Sequence, residues 1–311
     1  MLLSKGYNVF GFVRRSSVDN HVRLPKEDEG FQIIEGDMAD AGSIWRAIQN
    51  TQPDEIYNLA AQTHVMTSFA EPEHTGDING LGTVRILEAI HTLDVARRMK
   101  FYQASTSEMF GVTDGQPLSE NSPMQPVSPY GAAKLYAYHM TRLYRQAYGM
   151  FACNGILFNH ESPMRGEHFV TAKIARYVAD GNFGRPLLLG NLDAKRDWGH
   201  AGDYADGMWR MMQRDVPDDY VLATGTSRSV REFAEAAFRC IGKTIIWSGK
   251  GADEVGSCDG GVVIRIDGLL YRPLEVPHLT GNAAKAKSHL QWTPQTPFND
   301  MVQEMVRACS N

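Results

Sequence analysis

The chain has 311 residues, of which 43% are hydrophobic and 22% charged, so it can bury a sizeable core as one large domain or two unequal ones. Its formal net charge of −5 gives no reason to expect a nucleic-acid or anionic-membrane partner. No signal-peptide apolar region opens the sequence, and no window approaches the ~18 apolar residues of a membrane span. Cys153, Cys240, Cys258 and Cys309 form no C-x-x-C pair, so we expect a reducing cytoplasm, no disulfide framework and no metal site.

Short apolar runs alternate with helix-length amphipathic segments. Predicted strands cover 7–13, 31–34, 55–60, 101–104 and 151–157, and predicted helices cover 41–51, 75–97 and 130–148. This alternation predicts an α/β fold with a doubly wound, Rossmann-like parallel sheet and right-handed crossovers. Beyond about residue 158 the rhythm loosens. We therefore expect a dinucleotide-binding domain at 1–158 and a smaller, mainly substrate-binding part at 159–311, some elements of which could return to the sheet.

The first predicted strand is followed by Arg14, Arg15, Ser16 and Ser17. An acidic residue at this place would accept a ribose 2′-hydroxyl, whereas two arginines and two hydroxyls suit a 2′-phosphate. The loop therefore favours NADP over NAD as cofactor. A solvated basic turn is the competing interpretation.

Two further loops at strand ends suit a dinucleotide. Asp37 and Met38 can meet the adenine edge, and the small residues among Leu59, Ala60, Ala61, Gln62 and Thr63 let the backbone approach a pyrophosphate closely. Without the other motifs, ordinary loop and packing roles are favoured for both loops.

The most informative motif combines Ser105-Thr106-Ser107-Glu108 with Tyr130 and Lys134. The first four residues follow a predicted buried strand, where open α/β sheets place their sites. Tyr130 and Lys134 are four residues apart on one helix face, behind an N-cap serine and a proline. An ammonium beside the phenol should lower the phenol pKa towards that of a useful base. Alone, each of these features is more often structural.

Further blocks complete a resemblance that runs from Leu2 nearly to the C terminus. They are 155–163 (GILFNHESP), Arg165-Gly166, 195–199 (KRDWG), 271–273 (YRP) and 292–294 (WTP). Together with the preceding motif they resemble the GDP-mannose 4,6-dehydratase family of extended short-chain dehydrogenases/reductases. The Asn-His-Glu-Ser-Pro and Arg-Asp-Trp-Gly blocks are much more specific to this family than the Tyr-xxx-Lys pair.

The resemblance implies an NADP-dependent dehydration of GDP-mannose to GDP-4-keto-6-deoxymannose. Tyr130 would remove the 4-hydroxyl proton, Lys134 would orient the nicotinamide ribose, Thr106 would bind the 4-oxygen, and Glu108 would act as base at C5 and acid at C6. The same resemblance places His160 and Arg165 at NADP, and implies a homo-oligomer, a dimer or a tetramer. It assigns four residues to the GDP-sugar: Asn159, Lys173, Arg196 and Arg272.

The sequence departs from the family pattern in two places. The family opens with a strand and a Gly-x-x-Gly-x-x-Gly turn, whereas residues 1–7 match the end of the following helix; we expect either a start at an internal Met or a degraded relative. His74 stands where the family tends to have a tyrosine near the nicotinamide. Two other functions stay open: another nucleotide-sugar reductase or epimerase, and a non-catalytic truncated relative. An ordinary surface ion pair with Asp197 is the alternative for Arg196, and a structural hydrogen bond is the alternative for His160.

Overall fold

The computed structural model describes residues 1–16, 23–25, 30–94, 96 and 98–310. Its strands are, in chain order, β1 (Val9–Val13), β2 (Phe31–Glu35), β3 (Glu55–Asn58), β4 (Lys100–Thr106), β5 (Phe151–Leu157), β6 (Asn159–Glu161), β7 (Leu187–Leu189), β8 (Lys195–His200), β9 (Asp219–Leu222), β10 (Ser227–Ser229), β11 (Ile246–Ser248), β12 (Val255–Cys258) and β13 (Gly261–Ile266). Its α-helices are α1 (Ala41–Thr51), α2 (Val65–Ala70), α3 (Pro72–Gly76), α4 (Gly82–Leu93), α5 (Pro129–Tyr148), α6 (Val170–Asp180), α7 (Ala201–Met212), α8 (Val230–Arg239), α9 (Ala284–Leu290) and α10 (Phe298–Cys309). None of the described helices is both long enough and apolar enough to cross a membrane.

The parallel α/β architecture predicted from the alternation of strands and helices is confirmed. β3, β4, β5 and β9 form one parallel sheet in the order β3-β4-β5-β9, and β1 and β2 form a second parallel pair. β4 and β5 are almost entirely buried, as expected for strands covered by helices on both faces. The last strand of this sheet, β9, comes from the second half of the chain.

Local sequence signals fix the helix starts. The side chain of Asp40 accepts a hydrogen bond from Gly42 N at the start of α1, and Ser128 caps α5 ahead of Pro129 in the first turn. The predicted helix over 75–97 forms as part of one helical segment over 72–93, but its hydrogen-bond pattern changes within it. A π turn (Asp77–Leu81) joins α3 to α4, and the helix ends at Leu93. A widened turn of this kind follows no simple hydrophobic period, so the sequence pattern did not reveal it.

The second half of the chain adds two mixed sheets, ordered β10-β8-β6 and β11-β12-β13-β7. α6, α8 and α10 pack into an apolar cluster with these strands. Another cluster joins Tyr102 on β4 to Tyr204 on α7 and to Trp292. The division at residue 158 therefore stays a prediction, since apolar contacts run across it.

Candidate active site

A cavity of about 560 Å³ opens where β4 and β5 end, which is within the range usual for small-molecule sites. The loop before α2 and the residues from β6 to α6 form part of its wall, and β8 and the segment around residue 272 form another part. Thirteen of the predicted site residues line it: Leu59, Ala61, Thr63, Thr106, Glu108, Tyr130, Lys134, Asn159, His160, Arg165, Lys173, Arg196 and Arg272.

Thr106 and Glu108 are positioned by the end of β4. The strand stops at Thr106, whose hydroxyl accepts a hydrogen bond from Glu108 N at 3.3 Å, and a 3-10 turn (Ser107–Met109) follows. This turn buries the Glu108 carboxyl group. Its Oε1 lies 3.4 Å from Arg272 Nη1 and 3.8 Å from Arg196 Nε. The Glu108 carboxylate thus lies between two guanidinium groups, in the turn that directly follows Thr106.

Helix α5 presents Tyr130 and Lys134 to the same cavity. Lys134 Nζ donates to the Ala104 carbonyl at 2.8 Å, and burial lowers the pKa of Lys134 to about 8. Burial raises the pKa of Tyr130 to about 12; a hydrogen bond with Thr106 opposes this rise, Glu108 adds to it, and Arg165 opposes it. The expectation that Lys134 lowers the Tyr130 pKa is therefore wrong for this structure. Burial outweighs the nearby charges, and the Lys134 ammonium is directed at a backbone oxygen.

Arg196 and Asp197 are neighbours in sequence but not partners, which contradicts the surface-ion-pair alternative. Both are buried on β8, where successive side chains point to opposite faces. Arg196 donates to the Val276 carbonyl at 2.7 Å and to Glu275 at 3.1 Å. Asp197 instead accepts from the backbone N–H groups of the 224–225 turn and of Gly281. Arg196 therefore faces the cavity, while Asp197 anchors loops.

His160 and Arg165 form part of the wall that follows β5. Burial lowers the pKa of His160 to about 4, so its imidazole is neutral near pH 7. Its Nδ1 lies 2.9 Å from the Phe158 carbonyl oxygen. His160 therefore makes a structural contact and also lines the cavity. Arg165 Nε lies 3.1 Å from the buried carboxylate of Glu161, and its guanidinium lies 3.6 Å above the Phe169 ring.

Several lining residues were not predicted from the sequence, above all His64, Glu161, His168 and Phe169. Burial, followed by the charges of Arg272, His168 and Lys173, lowers the pKa of His64. The available signal for His64 was its position directly after Thr63. The signal for Glu161 was its place in the Asn-His-Glu-Ser-Pro block beside His160. His168 and Phe169 reach the cavity through tertiary packing, which no local spacing reveals.

Other predicted residues do not line the cavity. Arg14, Arg15 and Ser16 are exposed, and Arg15 is paired with Glu35 at 2.7 Å. Ser17 lies outside the described residues. The side chain of Asp37 accepts a hydrogen bond from Ala39 N at 2.9 Å. Met38 is buried in an apolar cluster, and Ala60 packs against that cluster. The backbone N–H of Gln62 donates to the Asn79 side chain. His74 is exposed on α3.

The described residues contain no group of three or more His, Cys, Asp or Glu side chains that could hold a metal ion. All four cysteines are free thiols in the structure. The polar lining of the cavity includes the Thr106 and Tyr130 hydroxyls, the Glu108 carboxylate, three histidines and the surrounding cations.

The parallel α/β fold, with a Tyr-xxx-Lys helix and a Ser-Thr-Ser-Glu turn at one cavity, defines a short-chain dehydrogenase/reductase of the nucleotide-sugar class. A family model described as GDP-mannose 4,6 dehydratase matches residues 1–305. The chain belongs to the GDP-mannose 4,6-dehydratase family. This confirms the resemblance expected from its motifs.

Known relatives agree over nearly the whole chain. The GDP-mannose 4,6 dehydratase of Homo sapiens is 50% identical over 99% of this chain and 86% of its own length. The GDP-mannose 4,6-dehydratase of Sinorhizobium fredii is 51% identical over 99% of this chain and 91% of its own length.

Solved structures agree with the fold at lower identity. A UDP-glucose 4-epimerase from Thermus thermophilus in complex with NAD has a TM-score of 0.83 at 23% identity, covering 99% of this chain and 93% of its own. RMD from Pseudomonas aeruginosa, complexed with NADPH, has a TM-score of 0.74 at 21% identity, covering 93% of each chain. These two likenesses establish the fold.

Proposed function

We propose that this chain dehydrates GDP-mannose to GDP-4-keto-6-deoxymannose with NADP as cofactor. The observation that carries the proposal is the convergence of Thr106, Glu108 and Tyr130 on one cavity, with Arg196 and Arg272 against the same carboxylate. A hydroxyl, a phenol and a carboxylate are the groups that oxidation at C4 followed by water elimination requires. The family's relatives carry the name of this reaction.

The residues fit a nicotinamide dinucleotide. Gln62 Oε1 is buried without a hydrogen-bond partner among the described residues, beside the lining residues Ala61 and Thr63. Lys134 brings an ammonium to the cavity wall, suited to a ribose hydroxyl, and His160 and Arg165 stand on the wall after β5. Solved neighbours of the fold hold NAD or NADPH. When bound, the dinucleotide supplies the acceptor for the C4 hydride and its donor to C6.

The chain's own residues account for the proton transfers. Tyr130 removes the proton of the 4-hydroxyl in its phenolate form, which is the minor form in the unliganded chain because burial raises the Tyr130 pKa to about 12. Thr106 hydrogen-bonds the 4-oxygen. The resulting 4-ketone acidifies the C5 proton, which Glu108 takes as general base. Glu108 returns that proton to the 6-hydroxyl as the C6–O bond breaks and water leaves. Once C6 has received hydride, Tyr130 returns its proton to C5. The net change is the loss of one water.

The substrate's diphosphate is assigned to Arg196 and Arg272, with Lys173 and Asn159 completing the nucleotide-sugar site. Arginine suits this role because its planar fork is permanently charged and binds phosphate oxygens in pairs. Arg196 is buried and fixed by the Val276 carbonyl, so little side-chain freedom is lost on binding.

The proposal is tested by incubating the purified chain with GDP-mannose and NADP⁺ and measuring the product mass. We expect a nucleotide sugar lighter by one water. Glu108→Gln removes the base, so the rate should fall by about 100-fold or more while GDP binding changes far less. Glu254→Gln is the matched control, because Glu254 also pairs with an arginine, Arg231, but does not line the cavity.

A version extended at its N terminus by the family's strand and glycine-rich turn is assayed alongside. Product from the extended version alone supports the dehydratase assignment and the expectation that the turn is needed. Product from both shows that the chain as given suffices. A product of unchanged mass, or no product from either version, contradicts the proposal and favours the epimerase or the non-catalytic alternative.

We also propose a cytoplasmic homo-oligomer, a dimer or tetramer. Leu81, Tyr136 and Leu143 leave exposed apolar surface on the π turn and α5, where Tyr136 lies against Gly80. Light scattering on a size-exclusion column measures the assembly, and Leu143→Glu should dissociate it. A monomeric wild-type protein at working concentration would contradict this part. Fractionation of the producing cells locates the chain.

A further inference from the structure

The π turn between α3 and α4 lies beside two loops that suit the dinucleotide. Of its residues, Asn79 is almost fully buried, and its side chain forms two hydrogen bonds with one backbone unit of the neighbouring loop. Its Oδ1 accepts from Gln62 N at 2.8 Å, and its Nδ2 donates to Gln62 O at 2.9 Å. Both polar groups of Gln62's backbone are thus satisfied by a side chain rather than by a strand or helix.

Arg85, on the next turns of the same helix, holds the other loop. Its Nη1 donates to the Met38 carbonyl at 2.9 Å, and its Nη2 lies 2.6 Å from Asp77 Oδ1, at the start of the π turn. Asp77 therefore orients the Arg85 guanidinium, and that guanidinium holds the Met38 carbonyl. One continuous helical segment consequently contacts the loop after β2 and the loop after β3.

Hydrogen bonds also connect this helical segment to the sheet. Thr83 Oγ1 donates to the Asn79 carbonyl at 3.2 Å, and Thr83 also contacts Asn58 on β3 and Gln103 on β4 through buried hydrogen bonds. A buried polar network of this kind has strict geometry, because each unsatisfied member carries the full cost of its desolvation. Asn79 itself lies within the π turn (Asp77–Leu81).

We infer that Asn79 and Arg85 are positioning residues for the cofactor, which hold the 59–63 loop and the 37–38 loop in the geometry that binds a dinucleotide. The inference rests on the proposed function, since it takes the cofactor to be NADP. Neither side chain lines the cavity. Of the two loops, the 59–63 loop lines it through Leu59, Ala61 and Thr63, whereas the 37–38 loop is assigned by the adenine-edge expectation from the sequence. The two residues therefore act through the loops that they hold.

The test measures NADP⁺ and GDP dissociation constants for the full chain and its variants by calorimetry. Asn79→Ala leaves the buried Gln62 N–H and C=O unpaired, so NADP⁺ affinity should fall about tenfold or more, while GDP affinity changes less than about twofold. Arg85→Met removes the contacts with the Met38 carbonyl and Asp77 at a partly exposed site, and should also weaken NADP⁺ selectively. The matched control is Asn154→Ala, a buried asparagine bonded to Asp219 and Tyr138, which should lower stability without this selectivity.

Hydrogen exchange gives a readout that needs neither cofactor nor activity. The amides of residues 59–63 should exchange faster in Asn79→Ala than in wild type and Asn154→Ala. Equal losses of GDP and NADP⁺ affinity, or unchanged NADP⁺ affinity in both Asn79→Ala and Arg85→Met, would overturn the inference while leaving the dehydratase proposal intact. A wild-type chain that makes product with NAD⁺ alone and binds no NADP⁺ would overturn both the inference and the NADP assignment. No product with either dinucleotide would contradict the proposed function separately.

Discussion

Lys134 has a buried ammonium whose hydrogen bond runs to the Ala104 carbonyl. Burial lowers its pKa from 10.5 to about 8, because the charged form loses solvation that one carbonyl does not replace. A lysine that titrates near neutral pH can bind a ribose hydroxyl in either protonation state. It also makes the stability of the folded chain depend on pH in a defined direction.

We predict that the stability difference between wild type and Lys134→Met changes between pH 8 and pH 10.5. In this interval the unfolded chain keeps the lysine proton and the folded chain releases it, so the unfolding free energy of wild type rises with pH. The variant lacks this gain, which amounts to about 3 kcal/mol. Thermal melts of both proteins across the interval measure the change. Parallel curves would show that the folded-state pKa is not lowered.

Tyr130 shows how far residue types alone could predict the site. The sequence placed a phenol, an ammonium and a carboxylate near one strand end, and the structure brings them to one cavity. The sequence could not predict the pKa of Tyr130. Burial is the main cause of that pKa, and burial depends on packing from distant segments. Arg165, one of the charges that act on Tyr130, comes from beyond β5.

The first turn of α5 and the turn after β4 approach each other closely at Gly131. A Cβ built on Gly131 would lie 2.7 Å from the Glu108 carbonyl oxygen and 3.0 Å from Pro126 Cβ. Glycine therefore allows the helix that carries Tyr130 to approach the turn that carries Glu108. The sequence showed this glycine within a motif but gave no sign of the contact, since the partner is 23 residues away in the chain.

Gly131→Ala should consequently separate the two elements. We expect kcat to fall about tenfold or more, since small displacements of catalytic groups are costly, and the melting temperature to fall. Gly76→Ala is the matched control: its Cβ would meet nothing within 4 Å, and alanine in a helix is about 0.5–1 kcal/mol more stable than glycine. Steady-state kinetics and melts measure both effects. Wild-type kcat in Gly131→Ala would show that the close approach is dispensable.

At the scale of the whole molecule, periodicity predicted the parallel strands but not how they divide into sheets. The strand period indicates which residues are buried, whereas the pairing of β1 with β2 and of β9 with β5 depends on long-range contacts. The same limit applies to the site. Its lining residues come from both halves of the chain, from Leu59 to Lys134 in the first and from Asn159 to Arg272 in the second. The family resemblance, not periodicity, predicted that they share one site.

The preference of the chain for NADP⁺ over NAD⁺ can be tested at the loop that follows β1. Arg14 is exposed after β1, while Arg15 is paired with Glu35 at the end of β2. A 2′-phosphate would gain a charge-assisted contact from Arg14, so Arg14→Ala should weaken NADP⁺ binding about tenfold and leave NAD⁺ binding within about twofold. Arg46→Ala, which removes an exposed arginine 3.7 Å from Asp40 on α1, controls for net charge. Calorimetric titration with both dinucleotides measures the ratio of their affinities. Equal weakening of NADP⁺ and NAD⁺ would remove Arg14 from the 2′-phosphate site, because only one of the two ligands carries that phosphate.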